Sequence, residues 1–368
     1  MSRTCHRVAQ ATLLVATVAA CGSKRDRPTV LRDDGGLATS PGRDSAARPG
    51  GPVTLAAPPP VPTPPPGRPP LPPGAAAPTA AEVALGELLF HERRLGADGT
   101  TRCASCHDPA HGFAGVEARS QNALGKPSLR HTPTLLDVAW HPELAWDGRA
   151  GDRIKFVMGH ATGQLGASLD DTARPLLESP TYRAHVARTG DINTPGHTAG
   201  AALTAYAMTR FSPESPWDRQ ERGVPDAVSA QAIAGYAVFT GKAQCATCHP
   251  PPLYTDLGYH RLGLIASPDD GRGRVDPAAN GQFKTPTVRG AALRARFFHD
   301  GSAASLEAAI DWHLAGGVGQ GATAADVDPA LPPIQLTADE RAALLAFVRA
   351  LSAPLPAGPP PTLPEDFP

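Results

Sequence analysis

Cys103-Ala104-Ser105-Cys106-His107 is a five-residue motif that returns later in the chain as Cys245-Ala246-Thr247-Cys248-His249. This spacing is typical of the covalent attachment of a c-type haem. The two thiols add to the vinyl groups of one porphyrin, and the adjacent His becomes an axial ligand of the iron. A lone Cys-x-x-Cys pair would also suit a redox dithiol or half of a zinc site. Two copies that each end in His instead predict two covalently bound haem c groups. The predicted haem-binding residues are Cys103, Cys106, His107, Cys245, Cys248 and His249.

The N-terminus has the pattern of an export signal. Arg3 and Arg7 flank a mostly apolar run over residues 8–20, which is too short to span a bilayer as a mature helix. The run ends in Val-Ala-Ala directly before Cys21, as in a bacterial lipoprotein cleavage box. We therefore predict a lipoprotein-type signal peptide over residues 1–20 and a periplasmic or otherwise extracytoplasmic protein, anchored to the membrane by a lipid on Cys21. An ordinary cleaved signal with an incidental cysteine is the alternative.

Proline is concentrated on both sides of the predicted folded part. Residues 52–73 are rich in Pro, and such a segment cannot bury a core and favours extended polyproline II. We predict a disordered Pro-rich linker over residues 21–78 that acts as a stalk between the membrane and the folded part. A ligand for proline-binding modules is the alternative interpretation. Residues 353–368 form a second Pro-rich segment, predicted to be a tail.

Helix signals dominate the folded part, residues 79–352. The sequences that begin at Thr79 and Thr337 both match a capping box, with Glu82 and Glu340 three residues further on. An apolar stripe at helical spacing follows the second box, and no long strand-like alternation occurs. We predict a mainly α fold with long loops.

An internal repeat divides this folded part. Gly86-Glu87-Leu88-Leu89-Phe90 precedes the first Cys-x-x-Cys-His motif, and Gly235-Tyr236-Ala237-Val238-Phe239 precedes the second. Each looks like a helix that leads into a haem-binding turn. We predict two haem domains, residues 79–225 and 226–352. The net charge of −1 and the lack of a basic stripe exclude a nucleic-acid partner at this stage.

Several longer blocks carry a family resemblance. They are LGELLFHERRLGADGTTRCASCHDPAHGFA (85–114), RHTPTLLDVAWHPELAWDGRA (130–150), FSPESPWDR (211–219), GYAVFTGKAQCATCHPPPLYTDLGYHRLGL (235–264) and FKTPTVRGAALRARFFHDGSAASLEAAIDWH (283–313). In this order they resemble the bacterial di-haem cytochrome c peroxidase family, including its MauG-like branch. The resemblance covers nearly all of the folded part. It implies two cytochrome-c-like haem lobes, the first peroxidatic and the second receiving electrons.

The resemblance implies a function with two alternatives. The first expectation is reduction of hydrogen peroxide to water, with electrons from a small c-type cytochrome or a copper protein. A MauG-like oxidase that acts on a protein or small molecule through a high-valent di-haem state is the second. A non-catalytic electron-transfer cytochrome is the third. Members of the family are often dimers, so a homodimer is also implied, although no interface is readable from the sequence.

Two positions concern electron transfer. The family places a Trp of a W-D-G-R block between its haems, and Trp146 occupies that position here. The peroxidases usually ligate the second haem with a Met fourteen residues after the His of the H-D-G block; here that position is His313. No Met follows the second haem motif. We therefore expect a low-spin haem between His249 and His313, with a lower potential than a His/Met haem.

Other differences from the family pattern concern the residues near the first haem. The usual acid–base Glu is replaced by Gln164, which can hydrogen-bond peroxide but cannot carry its proton. His160, one helical turn earlier, is the candidate for that proton transfer, with a surface or supporting His as the alternative. Residues 112–130 contain no His that could block the iron. We therefore expect His107 to be the only protein ligand and the first haem to be open.

A calcium ion between the domains is a feature of many family members. The position of their Asn ligand is His131 here, and Arg294 and Arg296 precede the H-D-G block. Calcium prefers oxygen ligands, and cations oppose it. The sequence therefore favours a protein without calcium over one that binds Ca²⁺.

Overall fold

A computed structural model describes residues 53–73, 77–190, 193–266, 268–319, 321–356 and 358–366. The predicted signal peptide, Cys21 and the first part of the predicted linker lie outside these residues. Among the helices described, none is long and apolar enough to cross a membrane.

The described chain is mainly helical, as predicted. Its α-helices are α1 (Ala80–His91), α2 (Cys103–Cys106), α3 (Arg153–Leu165), α4 (Leu169–Leu177), α5 (Pro180–Thr189), α6 (Pro195–Met208), α7 (Pro216–Glu221), α8 (Ala230–Thr240), α9 (Leu306–Leu314) and α10 (Ala338–Ala350). The strands β1 (Tyr259–His260) and β2 (Phe283–Lys284) form one antiparallel pair, with Tyr259 opposite Lys284. Long loops and short 3₁₀ turns connect these elements.

Helices α1 and α10 begin where their capping residues predict. The Thr79 hydroxyl accepts the Glu82 backbone N–H at 3.2 Å, and the Glu82 carboxylate accepts the Thr79 backbone N–H at 2.6 Å. Thr337 and Glu340 form the same reciprocal pair at the start of α10. Each box satisfies backbone donors that have no partner inside the helix.

Two hydrophobic clusters surround the two motifs. The first combines α1 with α3 to α6, and the second combines α7, α8 and α10 with residues of α9. In each cluster the repeated Gly allows two helices to cross closely. A Cβ on Gly86 would lie 2.0 Å from the Ala202 carbonyl oxygen, and one on Gly235 would lie 1.9 Å from the Ala343 carbonyl oxygen. The Gly that is repeated before each haem motif is thus explained by packing, because it lies where two helices cross closely.

Gly235→Ala is expected to lower the free energy of unfolding by about 2 kcal/mol, because α8 and α10 must separate to admit the methyl group. Thermal and urea unfolding of the haem-loaded protein would measure the change. Gly151→Ala, at an exposed position before α3, is the control, since a Cβ there would meet no atom within 4 Å. Equal stability of the Gly235→Ala variant and the wild type would contradict the close crossing.

The Pro-rich segment over residues 53–73 differs from the predicted stalk. It has no helix or strand, as its composition predicts, but it lies against the folded part. The Arg68 guanidinium donates to the Asp218 carboxylate at 3.0 Å, and Arg289 pairs with the same carboxylate at 2.9 Å. All three side chains are buried, and Val61 packs against the first cluster. The prediction of disorder is wrong for these residues, because a buried ion-pair network and an apolar contact hold them.

Candidate di-haem centre

The first motif lies at one wall of a cavity of about 310 Å³. Cys103 and Cys106 form the short helix α2, and His107 follows directly as its C-terminal cap. The His107 Nδ1 lies 3.1 Å from the Phe113 carbonyl oxygen. This bond fixes the ring and directs Nε2 toward the cavity, which is how metal-ligating imidazoles are usually held.

The second motif has the same construction beside a cavity of about 180 Å³. The His249 Nδ1 lies 3.1 Å from the Tyr254 carbonyl oxygen, so its Nε2 also faces the cavity. His313 of α9 lies on the opposite wall, and its Nδ1 lies 2.7 Å from the Ala309 carbonyl oxygen. The ring centroids of His249 and His313 are 6.4 Å apart.

That separation suits one iron between two imidazoles. Rings that share a metal are separated by two metal–nitrogen bonds of about 2.0 Å each and two ring radii of about 1.1 Å each, which puts their centroids about 6.2 Å apart. Burial lowers the pKa of His249 to about 4 and also lowers the pKa of His313. Both rings are therefore neutral near pH 7, as a metal ligand must be.

The buried motif thiols do not suit a redox pair. Burial raises the pKa of Cys103 and of Cys245 to about 12, which opposes the reactive thiolate that a redox pair needs. All four are unpaired in the structure. Cys248 approaches Asp256 and His260 closely enough to suggest a metal cluster, but a thioether bond to haem would remove that thiol.

The charges of the first cavity also fit a haem. Its described lining contains six cations and no carboxylate. These cations are Arg102, Arg130, Arg149, Lys284, Arg294 and Arg296. Arg130 and Arg149 pair with Asp147, and the remaining cations favour an anionic group such as the two propionates of a haem.

Trp146 lies in the wall that the two cavities share. Its indole N–H donates to the His131 carbonyl at 2.8 Å, and its own carbonyl accepts the Lys284 backbone N–H at 2.8 Å. The other residues that line both cavities are Lys284, Pro286, Thr287, Arg294, Phe297 and Phe298. Trp146 is thus held by its indole and by its backbone in the wall that the two cavities share.

Residues 80–226 match the family model described as di-haem cytochrome c peroxidase. The chain is 34% identical over 292 residues to the methylamine utilization protein MauG of Methylorubrum extorquens, which covers 76% of this chain and 81% of that protein. This chain belongs to the di-haem cytochrome c peroxidase family.

Two further comparisons agree with that assignment. The di-haem peroxidase chain is 33% identical over 315 residues to cytochrome-c peroxidase IdrP1 of Denitromonas iodatirespirans, covering 74% of this chain and 82% of that protein. It also matches the crystal structure of a MauG-like protein associated with microbial copper homeostasis, with a TM-score of 0.67 and 26% identity over 78% of this chain and 93% of that one. The predicted family, fold class and oxidoreductase activity are confirmed, and haem is its cofactor.

The structure brings the two acid–base candidates of this peroxidase to the first cavity. His160 and Gln164 lie one turn apart on α3, and both line the cavity opposite the motif. The Gln164 side-chain oxygen accepts the Ser128 hydroxyl at 3.0 Å. The ring centroids of His160 and His107 are 6.4 Å apart, and Phe156 stacks on the His160 ring at 5.5 Å. Burial lowers the pKa of His160 to about 4, so the ring is neutral near pH 7.

Sequence reasoning missed two residues of the peroxidase site. Lys284 is a buried lysine whose ammonium donates to the Glu143 carbonyl, and burial lowers its pKa to about 8. His141 lines the first cavity, and its buried Nε2 has no hydrogen-bond partner among the described residues. Both lie in family blocks, but neither carries a motif. No local pattern in the sequence marks either residue.

Proposed function

We propose that this peroxidase is an exported enzyme that reduces hydrogen peroxide to water through two covalently bound haem c groups, with electrons from a small c-type cytochrome or copper protein. The observation that carries the proposal is the pair of cavities, each with a Cys-x-x-Cys-His motif, that meet at Trp146. We assign the peroxide to the larger, cation-lined cavity and electron entry to the smaller one. These assignments give the peroxidatic domain residues 79–225 and the electron-transfer domain residues 226–352.

When bound, the haem irons supply the redox chemistry. Cys103 and Cys106 would hold the first haem, and Cys245 and Cys248 would hold the second. The protein must also deliver two protons and two electrons for each peroxide. Since no carboxylate is among the described residues that line the first cavity, the imidazoles of His160 and His141 and the amine of Lys284 are the groups that could move those protons. Gln164 would orient the peroxide oxygens by hydrogen bonding.

Covalent attachment can be tested directly by mass spectrometry. The denatured chain should keep the mass of two haems, and Cys103→Ser/Cys106→Ser and Cys245→Ser/Cys248→Ser should each lose one. The same measurement on the mature N-terminus tests the lipid on Cys21 and the export of the protein. A chain that loses both haems on denaturation, or that begins with an unmodified residue other than Cys21, would contradict the respective proposal.

Trp146→Phe is expected to slow peroxide-dependent oxidation of the second haem by roughly 10²-fold, since a loss of alignment between reacting groups costs about that much. Haem content and peroxide binding at the first haem should not change, because Phe retains an apolar ring in the shared wall. Stopped-flow absorption on the reduced protein would follow the two steps separately. Trp140→Phe, a buried Trp that lines neither cavity, is the control. Equal rates in the two variants would remove Trp146 from the electron path.

A MauG-like oxidase is the second candidate, supported by the absence of Met from the described lining of the second cavity. Such an enzyme would oxidise a protein or small molecule instead of a soluble electron donor. Rapid turnover with a reduced small cytochrome would favour the peroxidase. Slow turnover combined with stable peroxide-oxidised haems would favour the oxidase.

We also propose that the protein binds no calcium. His131 stands at the position of the family's Asn ligand, and its ring lies 3.0 Å from the Glu117 carbonyl oxygen. The Arg294 guanidinium donates to the carbonyls of Thr287 and Arg289, both at 2.8 Å, so those oxygens already have a cationic partner. Activity and haem spectra should therefore be insensitive to calcium chelators.

Sedimentation of the haem-loaded protein would test the homodimer that the family resemblance implies.

A further inference from the structure

The internal repeat extends well beyond the haem motifs. Residues 144–160 and 297–313 align without a gap, so that Trp146-Asp147-Gly148 matches His299-Asp300-Gly301. Both segments contain the same closed turn. Leu144 bridges to Ala150 in the first, and Phe297 bridges to Ala303 in the second. The second residue of each turn has a positive φ, 67° and 71° respectively, as does the Gly, at 64° and 71°.

The helix that follows each turn starts in the same register. α3 is capped by Asp152 and α9 by Ser305, and each cap accepts a backbone N–H three residues later. The eighth residue of α3 is His160, and the eighth residue of α9 is His313. The fold therefore gives His160 the place over the first haem motif that His313 has over the second.

The ring geometry agrees with the register. The ring centroids of His107 and His160 are 6.4 Å apart with an interplanar angle of 60°, and those of His249 and His313 are 6.4 Å apart with an angle of 66°. Either spacing accommodates one iron with a nitrogen ligand on each side, for which about 6.2 Å is expected. A proton-transfer residue has no reason to adopt this spacing, because peroxide would need room between the ring and the metal.

We infer that His160 is the sixth ligand of the first haem iron in the resting ferric protein. The inference rests on the proposed two haem c groups. It replaces the expectation that His107 is the only protein ligand and that the first haem is open. Peroxide then binds only after the His160 nitrogen leaves the iron, and the released imidazole remains in the cavity to move a proton.

Two features make His160 the more easily released of the two helical ligands. The His313 Nδ1 is held by the Ala309 carbonyl at 2.7 Å, whereas the described residues give the His160 ring no hydrogen-bond partner. A ligating imidazole without such a bond is less basic and less firmly oriented. Phe156 stacks on the ring, and this contact can persist while the ring moves.

The helix that carries His160 is also weak. Gly159 and Gly163 interrupt α3, and a Cβ on either would meet no atom within 4 Å, so packing does not require them. Glycine in a helix interior is unfavourable relative to alanine. Only Ala161 and Leu165 of α3 are buried, and Phe156, Val157 and Met158 pack as partly buried residues. These features predict a helix that can shift and withdraw its histidine.

The resting ferric protein should show two low-spin haems by electron paramagnetic resonance and near-infrared circular dichroism. His160→Ala should turn one haem high-spin without changing the count of two covalent haems. Cyanide, which binds an open ferric iron, should then associate about tenfold faster or more, because the wild-type site is accessible only in its open fraction. Met208→Leu is the matched control, since Met208 lines the same cavity and could be a rival ligand.

Two further variants keep the test decisive if His160→Ala is poorly folded. His160→Met should give a low-spin haem with a thioether–iron charge-transfer band and a higher midpoint potential. Gly159→Ala/Gly163→Ala should slow cyanide association about fivefold for each substitution by stiffening α3, while Gly151→Ala, equally open but outside the helix, should not. No effect of the paired substitution would overturn the proposed shift of α3.

A high-spin haem in the resting wild type that His160→Ala leaves unchanged would overturn the inference. So would two low-spin haems in His160→Ala, or a His160→Met variant that lacks the thioether–iron band. A protein that carries fewer than two covalent haems would instead refute the proposed function on which the inference rests.

Discussion

Replacing His313 by alanine is expected to convert the second haem from low-spin to high-spin and to open it to exogenous imidazole. The His313 ring faces His249 at a centroid distance of 6.4 Å, and the described lining of that cavity offers no Met in its place. The Ala309 carbonyl holds the His313 ring, so the wild-type haem should resist ligand exchange. Electron paramagnetic resonance and ligand titration would measure the change.

The control for this prediction is His260→Gln. His260 lines the same cavity, but its ring is bonded to Asp328 at 2.7 Å and to Asp256 at 2.9 Å. Its substitution should leave the haem low-spin. His313→Met should also remain low-spin while raising the midpoint potential of the second haem, because thioether ligation raises it. A low-spin second haem in His313→Ala would mean that His313 is a packing residue.

Gln164→Glu is expected to accelerate peroxide cleavage by roughly 10²-fold, at the lower end of the range for general acid–base catalysis. The described lining of the first cavity has six cations and no carboxylate, so the variant would add a proton carrier where none of that kind exists. The Ser128 hydroxyl, which donates to the Gln164 oxygen at 3.0 Å, would donate equally well to a carboxylate.

This prediction is best measured in a His160→Ala background, where ligand release no longer limits the reaction. Stopped-flow absorption would then report the cleavage step at saturating peroxide. Gln164→Leu is the matched control, since it removes the hydrogen bond without adding a proton carrier. If Gln164→Glu reacted no faster than Gln164→Leu, position 164 would have no part in proton transfer.

Local signals in the sequence were sufficient for the elements that surround the haems. The capping boxes at Thr79 and Thr337 predict the starts of α1 and α10, because their partners lie only three residues away. The spacing of each Cys-x-x-Cys-His motif predicts a turn that presents thiols and imidazole together. Gly86 and Gly235 were recognised as a repeat, but only the structure supplies the reason, which is a helix crossing with distant residues.

Contacts between distant residues explain what the sequence left out. Composition predicts a disordered linker, yet Arg68 pairs with Asp218. The two residues are 150 positions apart, so no pattern of neighbouring residues predicts this ion pair. His160 was identified as a candidate, but its distance from His107 depends on how α3 packs after the turn at Trp146. No local pattern marks Lys284, because its neighbours in the site come from a different part of the chain.

Steady-state peroxide reduction by the purified di-haem protein, with a reduced small cytochrome c or copper protein as donor, tests the central claim most directly. We predict saturable turnover in which two donor electrons are consumed for each peroxide. Turnover should fall in Trp146→Phe and should not change in Trp140→Phe. Peroxide consumption no faster than that of free haem, in a protein with both haems attached, would contradict the account.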